Sequence, residues 1–411
     1  VTDTRVFVEN SLRGTVRFAP DGTVTAESTR RRGACLEQSV GRDHVRHVAA
    51  DGVDLLAGPA AGISAPVAEA GREVLARPVV GLDPAERQVL ADLAAETGAT
   101  ATWAGYHQHV LAGPLDAPTA DTRSLYTVEV DRDGTDTEVV PLRPDGGVTT
   151  GLGEVRAALD RLDARSGLPR AALPHPVPDL VLLPGRAGAF FHELVGHPME
   201  ADVVVSGTSY LGARRGRRVG PEWLTVTDGA TPARTGVRAA VDDEGTPTAG
   251  ARLVDAGVVG DPMTDLGTAP LAGTAPRGHG RRLDYRHPAI PRMTHTSAVA
   301  DTGDPSPDGT WIAPFGLSLD AMSIATGDFR FVARTPLLHE AGTPVARLPE
   351  LTLTGNGLLV LAGILPAGRT AGEHARASRG CGKLGQFPLI VSFANSGFLL
   401  PAGLVEVAEH D

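Results

Sequence analysis

His192-Glu193-Leu194-Val195-Gly196-His197 sets two imidazoles and a carboxylate within six residues, a grouping suited to a metal hydrolase. Imidazole is the commonest protein ligand for zinc. A carboxylate beside the first ligand can take a proton from a water attacking at the metal. The spacing is one residue longer than in an H-E-x-x-H helix. At about 100° per residue, positions i and i+4 lie roughly 40° apart around an α-helix, whereas i and i+5 lie roughly 140° apart. A regular helix would therefore hold the two rings on different faces, and the segment must be distorted between them.

Gly196 and Pro198 supply the means. Glycine is permissive and costly in a helix interior. Proline removes a backbone donor and biases the preceding residue away from the α region. The reading is a short apolar helix over 187–195, entered from the Pro184-Gly185 turn. It is kinked or ended at Gly196, by a break or a local π-bulge that swings His197 back towards His192.

Outward from this segment, composition sets bounds. The 411 residues suggest two or three domains. Lys and Arg total 38 against 49 Asp and Glu, a formal charge of −11, which argues against a general nucleic-acid binder. No stretch approaches the roughly 20 apolar residues that span a bilayer. The first residues show no basic stretch leading into an apolar one, so no secretion signal is read there. Cys35 and Cys381 cannot build a disulfide framework, and the expected location is cytoplasmic.

The N-terminal third reads as strands followed by helices. Residues 5–9 and 15–18 alternate with period two, and Pro20-Asp21-Gly22 turns the chain into 23–25. Asp83, Pro84 and Glu86 form a capping-box start to a helix stopped by Gly98. A second helix carries Leu152, Val155, Leu159 and Leu162 and ends near Gly167. The proline-rich stretch 168–178 is read as a linker, dividing residues 1–172 from 173–411. Beyond it, 179–183 is a short strand leading into the histidine helix. Short strands are expected at 237–241, 328–333, 351–354, 358–362 and 387–393. Many short strands with turn signals suggest a barrel or sandwich. Residues 260–309 read as a long Gly- and Pro-rich loop. Asp242-Asp243-Glu244-Gly245 lacks the ligand spacing of a calcium loop and reads as a hairpin turn, and 301–308 has the same shortfall. Arg214-Arg215-Gly216-Arg217-Arg218 reads as a solvated basic loop.

A zinc site needs a third protein ligand and an open position. Cys381, Glu200, His374, His279, His287 and His295 are all candidates. Cys381 stands in Arg379-Gly380-Cys381-Gly382-Lys383, where glycines permit close approach and nearby cations favour a thiolate.

The chain also resembles the TldD/PmbA metallopeptidases, through ordered blocks in its C-terminal half. Gly185-Arg186-Ala187-Gly188-Ala189-Phe190-Phe191-His192-Glu193 leads to Gly196-His197, Glu200-Ala201-Asp202 and Gly207-Thr208-Ser209. Val241-Asp242-Asp243-Glu244-Gly245-Thr246-Pro247, Gly280-Arg281-Arg282 and Arg292-Met293-Thr294 follow. Thr326-Gly327-Asp328-Phe329 and Cys381-Gly382-Lys383-Leu384-Gly385-Gln386 complete the series. Pro198 stands where the family usually has glycine, and His295 where asparagine is usual.

The resemblance implies an α+β chain. Its N-terminal α/β domain would combine antiparallel strands with helices, and its β-rich, barrel-like C-terminal domain would carry the metal-site helix. It implies His192, His197 and Cys381 as ligands of one zinc ion per catalytic chain, and Glu193 as the catalytic base. Glu200 is expected to fix a ligand's tautomer, and Arg292 and His295 to contact substrate. The implied activity is hydrolysis of extended or unfolded peptides, including maturation of peptide-derived natural products. The implied assembly is a homodimer or a heterodimer with a related subunit, with no nucleic acid or membrane partner. Two alternatives stand beside this reading: a specialised amidase acting on a small biosynthetic intermediate, and a non-catalytic partner subunit.

Overall fold

The computed structural model describes residues 4–40, 44–52, 63–132, 134, 136–143, 147–229, 235–300, 308–368, 371–377 and 379–410. Its first sheet comprises β1 (Thr4–Phe18), β2 (Val24–Val40), β3 (His44–Asp51), β4 (Thr100–Pro114), β5 (Thr119–Asp131) and β6 (Thr137–Leu142). These lie in the order β3-β2-β1-β4-β5-β6, with every neighbouring pair antiparallel. The two strands expected at 5–9 and 15–18 are one continuous strand. Its β2 partner follows through the turn at Gly22, whose φ is 85°.

Side chains alternate across the pleat, so each strand offers one face to helices and the other to the rest of the chain. Val6 and Val8 meet Val67, Val74 and Leu75 of α1 (Ala65–Ala76). Val16, Trp103, Val128 and Val140 meet Leu90 and Leu93 of α2 (Pro84–Thr97) and Val155, Leu159 and Leu162 of α3 (Gly147–Ser166). On the opposite face, Phe7, Cys35 and Val110 pack on Tyr285, while Ala104 and Leu125 pack on Ala375, Ala377 and Ile390. The N-terminal sheet is thus covered by helices on one side and by the C-terminal half on the other. Asp83 caps α2 by accepting from the Glu86 amide at 2.9 Å, and Gly98 ends it in the left-handed region. The other half of the expected capping box is diverted: Glu86 Oε1 accepts from the Val148 amide at the start of α3.

The later strands form open sheets, a correction to the barrel-like expectation. One runs Val258–Val259, Ala251–Asp255, Leu224–Asp228, His295–Ala300, Ser392–Asn395, Gly372–Ala375. A second is centred on Thr310–Ala313, β7 (Asp179–Leu182) and Phe398–Leu400, and a third holds Leu317–Met322, Asp328–Ala333, Leu351–Asn356 and Glu406–Glu409. The order of described strands in each is linear, with no pairing that joins the ends. Phe190, Phe191, Leu194 and Val195 fill the core between these sheets, against Leu180, Leu182, Phe331, Leu253 and Phe398.

Several local expectations change. Residues 358–362 lie in a helix, Gly357–Gly363, whose first turn is capped by Asn356 accepting from the Leu358 amide. A short apolar run carries no period that separates strand from buried helix. The run 387–393 divides between the strands Gln386–Leu389 and Ser392–Asn395. Residues 237–241 form no strand, and Val241 instead bridges to Pro247 across the expected hairpin turn. The segment 260–300 is built into the fold, burying Met263, Tyr285 and Met293 and adding a strand to the middle of a sheet. Residues 301–307 lie outside the described residues.

Candidate metal centre

The chain enters the site from β7. A turn leads to α4 (Gly188–Phe191), whose phenylalanines anchor it: Phe190 lies over Phe329 and Phe331, and Phe191 over Phe398. From His192 to Gly196 the backbone becomes π-helical, and the His197 amide donates to the His192 carbonyl. That i→i+5 bond places His197 one turn above His192, as i+4 would be in an α-helix. The two rings consequently meet, with centroids 5.1 Å apart.

Two residues account for the widened turn. Pro198 has no N–H for the Leu194 carbonyl, and the Tyr210 hydroxyl donates to it instead at 2.5 Å. Gly196 keeps helical dihedrals, φ −60° and ψ −65°, so its role is not the conformational freedom expected from sequence. A Cβ there would sit 2.0 Å from Met293 Sδ. Glycine lets the widened turn lie against the neighbouring chain.

Cys381 arrives from the hairpin Cys381–Lys383 and Gln386–Leu389. A Cβ on Gly380 would meet the Leu389 carbonyl oxygen at 2.4 Å, so glycine permits the close pairing that delivers the thiol. Cys381 Sγ lies 3.0 Å from His197 Nε2. One donor atom each from His192, His197 and Cys381 falls within 4.8 Å of the others, and this is the one such trio among the described residues. Tetrahedral zinc, with bonds of about 2.0–2.3 Å, sets its donors roughly 3.3–3.7 Å apart. Two imidazoles and a thiol at these separations fit such an ion.

The outer nitrogens are occupied. His192 Nδ1 lies 3.2 Å from Thr296 Oγ1, which donates to Asp228 Oδ2 at 2.7 Å. Thr296 and Asp228 are cross-strand partners. His197 Nδ1 lies 3.1 Å from Glu200 Oε2, which also meets Lys383 Nζ at 3.0 Å. Each imidazole thereby turns Nε2 inward. Burial opposes charge on both rings, and it pushes His192 far down. In His197 the Glu200 carboxylate and the Cys381 sulfur overcome burial and hold the ring well above its ordinary value. Burial alone would raise Glu200, but His197, Lys383 and Arg292 keep its carboxyl low.

Glu193 Oε2 lies 3.8 Å from His197 Nε2. Burial lifts its carboxyl above the usual range, with the His197 charge opposing, which suits an acceptor of protons. His192, Glu193 and Cys381 line one cleft of about 640 Å³, whose walls include Thr137, Arg186, Phe315, His374 and Arg376. Arg292 and His295, expected at the substrate, lie elsewhere. Arg292 is buried 3.5 Å from Glu200, and His295 is buried with Nδ1 2.8 Å from Ser392 Oγ. Neither lines the cleft. The other third-ligand candidates are also dispersed: His279 lies 3.4 Å from Asp228, His287 2.7 Å from Asp284, and His374 is on the cleft wall. Thr296 and Asp228 were not read from sequence. A Thr and an Asp 68 residues apart carry no signal until strand register pairs them.

The chain is similar to known proteins in sequence and in fold. A family model described as the PmbA/TldA metallopeptidase C-terminal domain matches residues 177–384, half of the chain. The metalloprotease TldD homolog of Buchnera aphidicola is 32% identical over 216 residues, covering 50% of this chain and 44% of its own. A zinc metalloprotease TldD homolog of Saccharolobus solfataricus is 32% identical over 120 residues, 28% of this chain and 26% of that one. The chain spans about half the length of the curated relatives it matches. In fold, it is similar to the crystal structure of TldE from Thermococcus kodakarensis. The TM-score is 0.68 at 14% identity, over 99% of this chain and 96% of that one.

Proposed function

The chain belongs to the PmbA/TldD metallopeptidase family, and from that premise we propose that it is a zinc-dependent peptidase acting on extended or unfolded peptides. One observation carries the reading: two imidazoles and a thiol converge beside a half-buried carboxylate, on a cleft large enough for a short peptide segment. His192 Nε2, His197 Nε2 and Cys381 Sγ would hold the ion. Sulfur and imidazole donors favour zinc over magnesium or calcium, and a relative is named a zinc metalloprotease.

When bound, zinc supplies Lewis acidity toward a water molecule and the amide carbonyl. Glu193 accepts the proton released as water attacks, holds it on its carboxylate, and delivers it to the leaving nitrogen. Thr296 with Asp228, and Glu200 with Lys383, hold the two imidazoles in one tautomer and orientation. The cleft walls exclude water around the scissile group. Assembly with a second copy or a related subunit is part of the same proposal. Maturation of a peptide-derived natural product is one setting for such a peptidase. Among the described residues no helix is long and apolar enough to cross a membrane.

The test is Glu193→Ala. The variant is expected to bind one equivalent of zinc, as the parent does, and to lose about 10²–10⁴-fold in peptide turnover. Metal analysis paired with peptide-digest profiling reads both. A variant that cleaves as fast as the parent would remove Glu193 from the chemistry, and a parent that binds no zinc would sink the assignment.

A further inference from the structure

Four guanidinium groups, from Arg186, Arg334, Arg376 and Arg379, line the same cleft as Glu193 and Cys381. Asp136 and Glu193 are the only carboxylates on that lining among the described residues. Asp136 is already held by Arg165 at 2.8 Å. Arg186 shares the buried Glu138 with Arg161 and Arg165, so one carboxylate serves three cations. Its guanidinium is also braced over the Phe315 ring, 5.5 Å from the centroid.

Arg376 and Arg379 are less fully paired. Arg376 meets Glu129 at 3.7 Å, beyond hydrogen-bond reach. Arg379 is exposed on the lining and has no carboxylate partner among the described residues. Burial, opposed by the Glu129 charge and reinforced by the nearness of Arg379 and Arg186, presses Arg376 below its ordinary value. His374 adds no charge, since burial pushes it down to about 3. Arg334 is paired with Glu350 at 3.6 Å, so the surplus of positive charge on the cleft centres on Arg379, two residues from a candidate metal ligand, with Arg376 beside it. In about 640 Å³, a group gripped by these arginines and an amide held at Glu193 belong to neighbouring parts of one substrate.

We infer that the cleft selects substrates bearing a carboxylate next to the scissile amide, gripped by Arg376 and Arg379. This inference rests on the reading of the Glu193 site as a hydrolase. Guanidinium groups suit a carboxylate geometrically as well as electrostatically. The carboxylate is either the C-terminal main-chain group or an acidic side chain, and the experiment separates the two.

Zinc-loaded Glu193→Ala protein is titrated with dansyl-labelled tetra-alanine in three forms. These are the free acid, the C-terminal amide, and the amide with aspartate as the last residue. A carboxylate-bearing form is expected to bind at least about tenfold tighter than the plain amide. The preference should fall as salt is raised. Preference for the free acid identifies the chain terminus, and preference for the aspartyl amide identifies a side chain. Adding Arg376→Gln and Arg379→Gln should bring the preference below about threefold. Arg379→Glu, a change at an exposed position, should remove it without Arg376 being touched. Equal binding of all three forms, or a preference that survives both sets of changes, overturns the inference. Zinc content and hydrolysis by the parent protein are measured in parallel. Unselective but zinc-dependent cleavage would sink the selectivity and leave the hydrolase reading standing. Selective binding without any cleavage would do the reverse.

Discussion

At the residue scale the site depends on atoms that touch no substrate. Asp228 accepts from Thr296 Oγ1 and from the Thr294 amide at 2.8 Å, and through Thr296 it sets the face that His192 presents. Asp228→Asn keeps the volume but replaces one acceptor oxygen with a donor, so Thr296 loses the partner that fixes its hydroxyl. Zinc affinity should fall by about 10–100-fold, read by competition with a chelator of known affinity. An unchanged affinity would mean that the relay does not orient the ring. The contrast in legibility is instructive. His192, Glu193 and His197 announce themselves by proximity in sequence. Cys381 could be shortlisted from its flanking glycines and cations, though only among six candidates. Thr296 and Asp228 are ordinary strand residues, and their role exists only because antiparallel register sets them side by side.

At the scale of the element, the π-helical turn is what makes an i, i+5 pair usable. Its necessity followed from the angle between residues, and the part of Pro198 from its missing amide donor; the part of Gly196 did not. Gly196 was expected to bend the chain, yet it is helical and matters for its missing Cβ. Gly196→Ala should therefore destabilise the protein by about 1–3 kcal/mol through overpacking on Met293. Denaturant titration checks this, and a variant as stable as the parent would show that Met293 can move aside freely. Tyr210 acts on the same turn. Tyr210→Phe would leave the Leu194 carbonyl, deprived of an amide donor by Pro198, buried without a partner. The expected cost is about 1–3 kcal/mol, with weakened zinc binding if the π-turn relaxes. Full stability with full zinc affinity in Tyr210→Phe would show the hydroxyl to be dispensable.

At the scale of the whole molecule, the N-terminal sheet docks on the C-terminal half through buried polar contacts. Glu9 Oε1 accepts from the Tyr285 amide at 3.1 Å and Oε2 from Gln108 at 2.8 Å. Burial raises Glu9 to about 7 despite those bonds. Its folded value thus exceeds its unfolded one, and between about pH 4.5 and 7 the folded state holds the extra proton. Stability from this group is present below that window and is lost as pH rises through it. Glu9→Gln should flatten that slope and gain on the parent above pH 7, by no more than about 3 kcal/mol. Urea midpoints measured from pH 5 to 8 would test it. Parallel curves for the two proteins would refute the assignment of the slope to Glu9. At the same dock Glu37 behaves oppositely. Burial would raise it, but Arg282 at 2.8 Å holds it down near 2.

Sequence by itself determined whatever depends on near neighbours along the chain. That covers the period-two strands β1 and β2, the Asp83 and Gly98 ends of α2, and the apolar face of α3. It also covers the adjacency of base and ligands in 192–197. These rest on local dihedral preferences and on side-chain spacing, which a linear string records. Tertiary structure decided the rest. It chose a helix for the apolar run 357–363, which has no period of its own, and wove 260–300 into a sheet despite its weak alternation. It left the strands in open sheets, and it drew Arg376 and Arg379 onto the wall of a cleft that Arg186 faces from far upstream. It also selected Cys381 over five rivals by carrying a hairpin to the imidazoles. A metal centre assembled across 190 residues is fixed by packing and register, and those are properties of surfaces meeting in space, for which neighbouring residues carry no code.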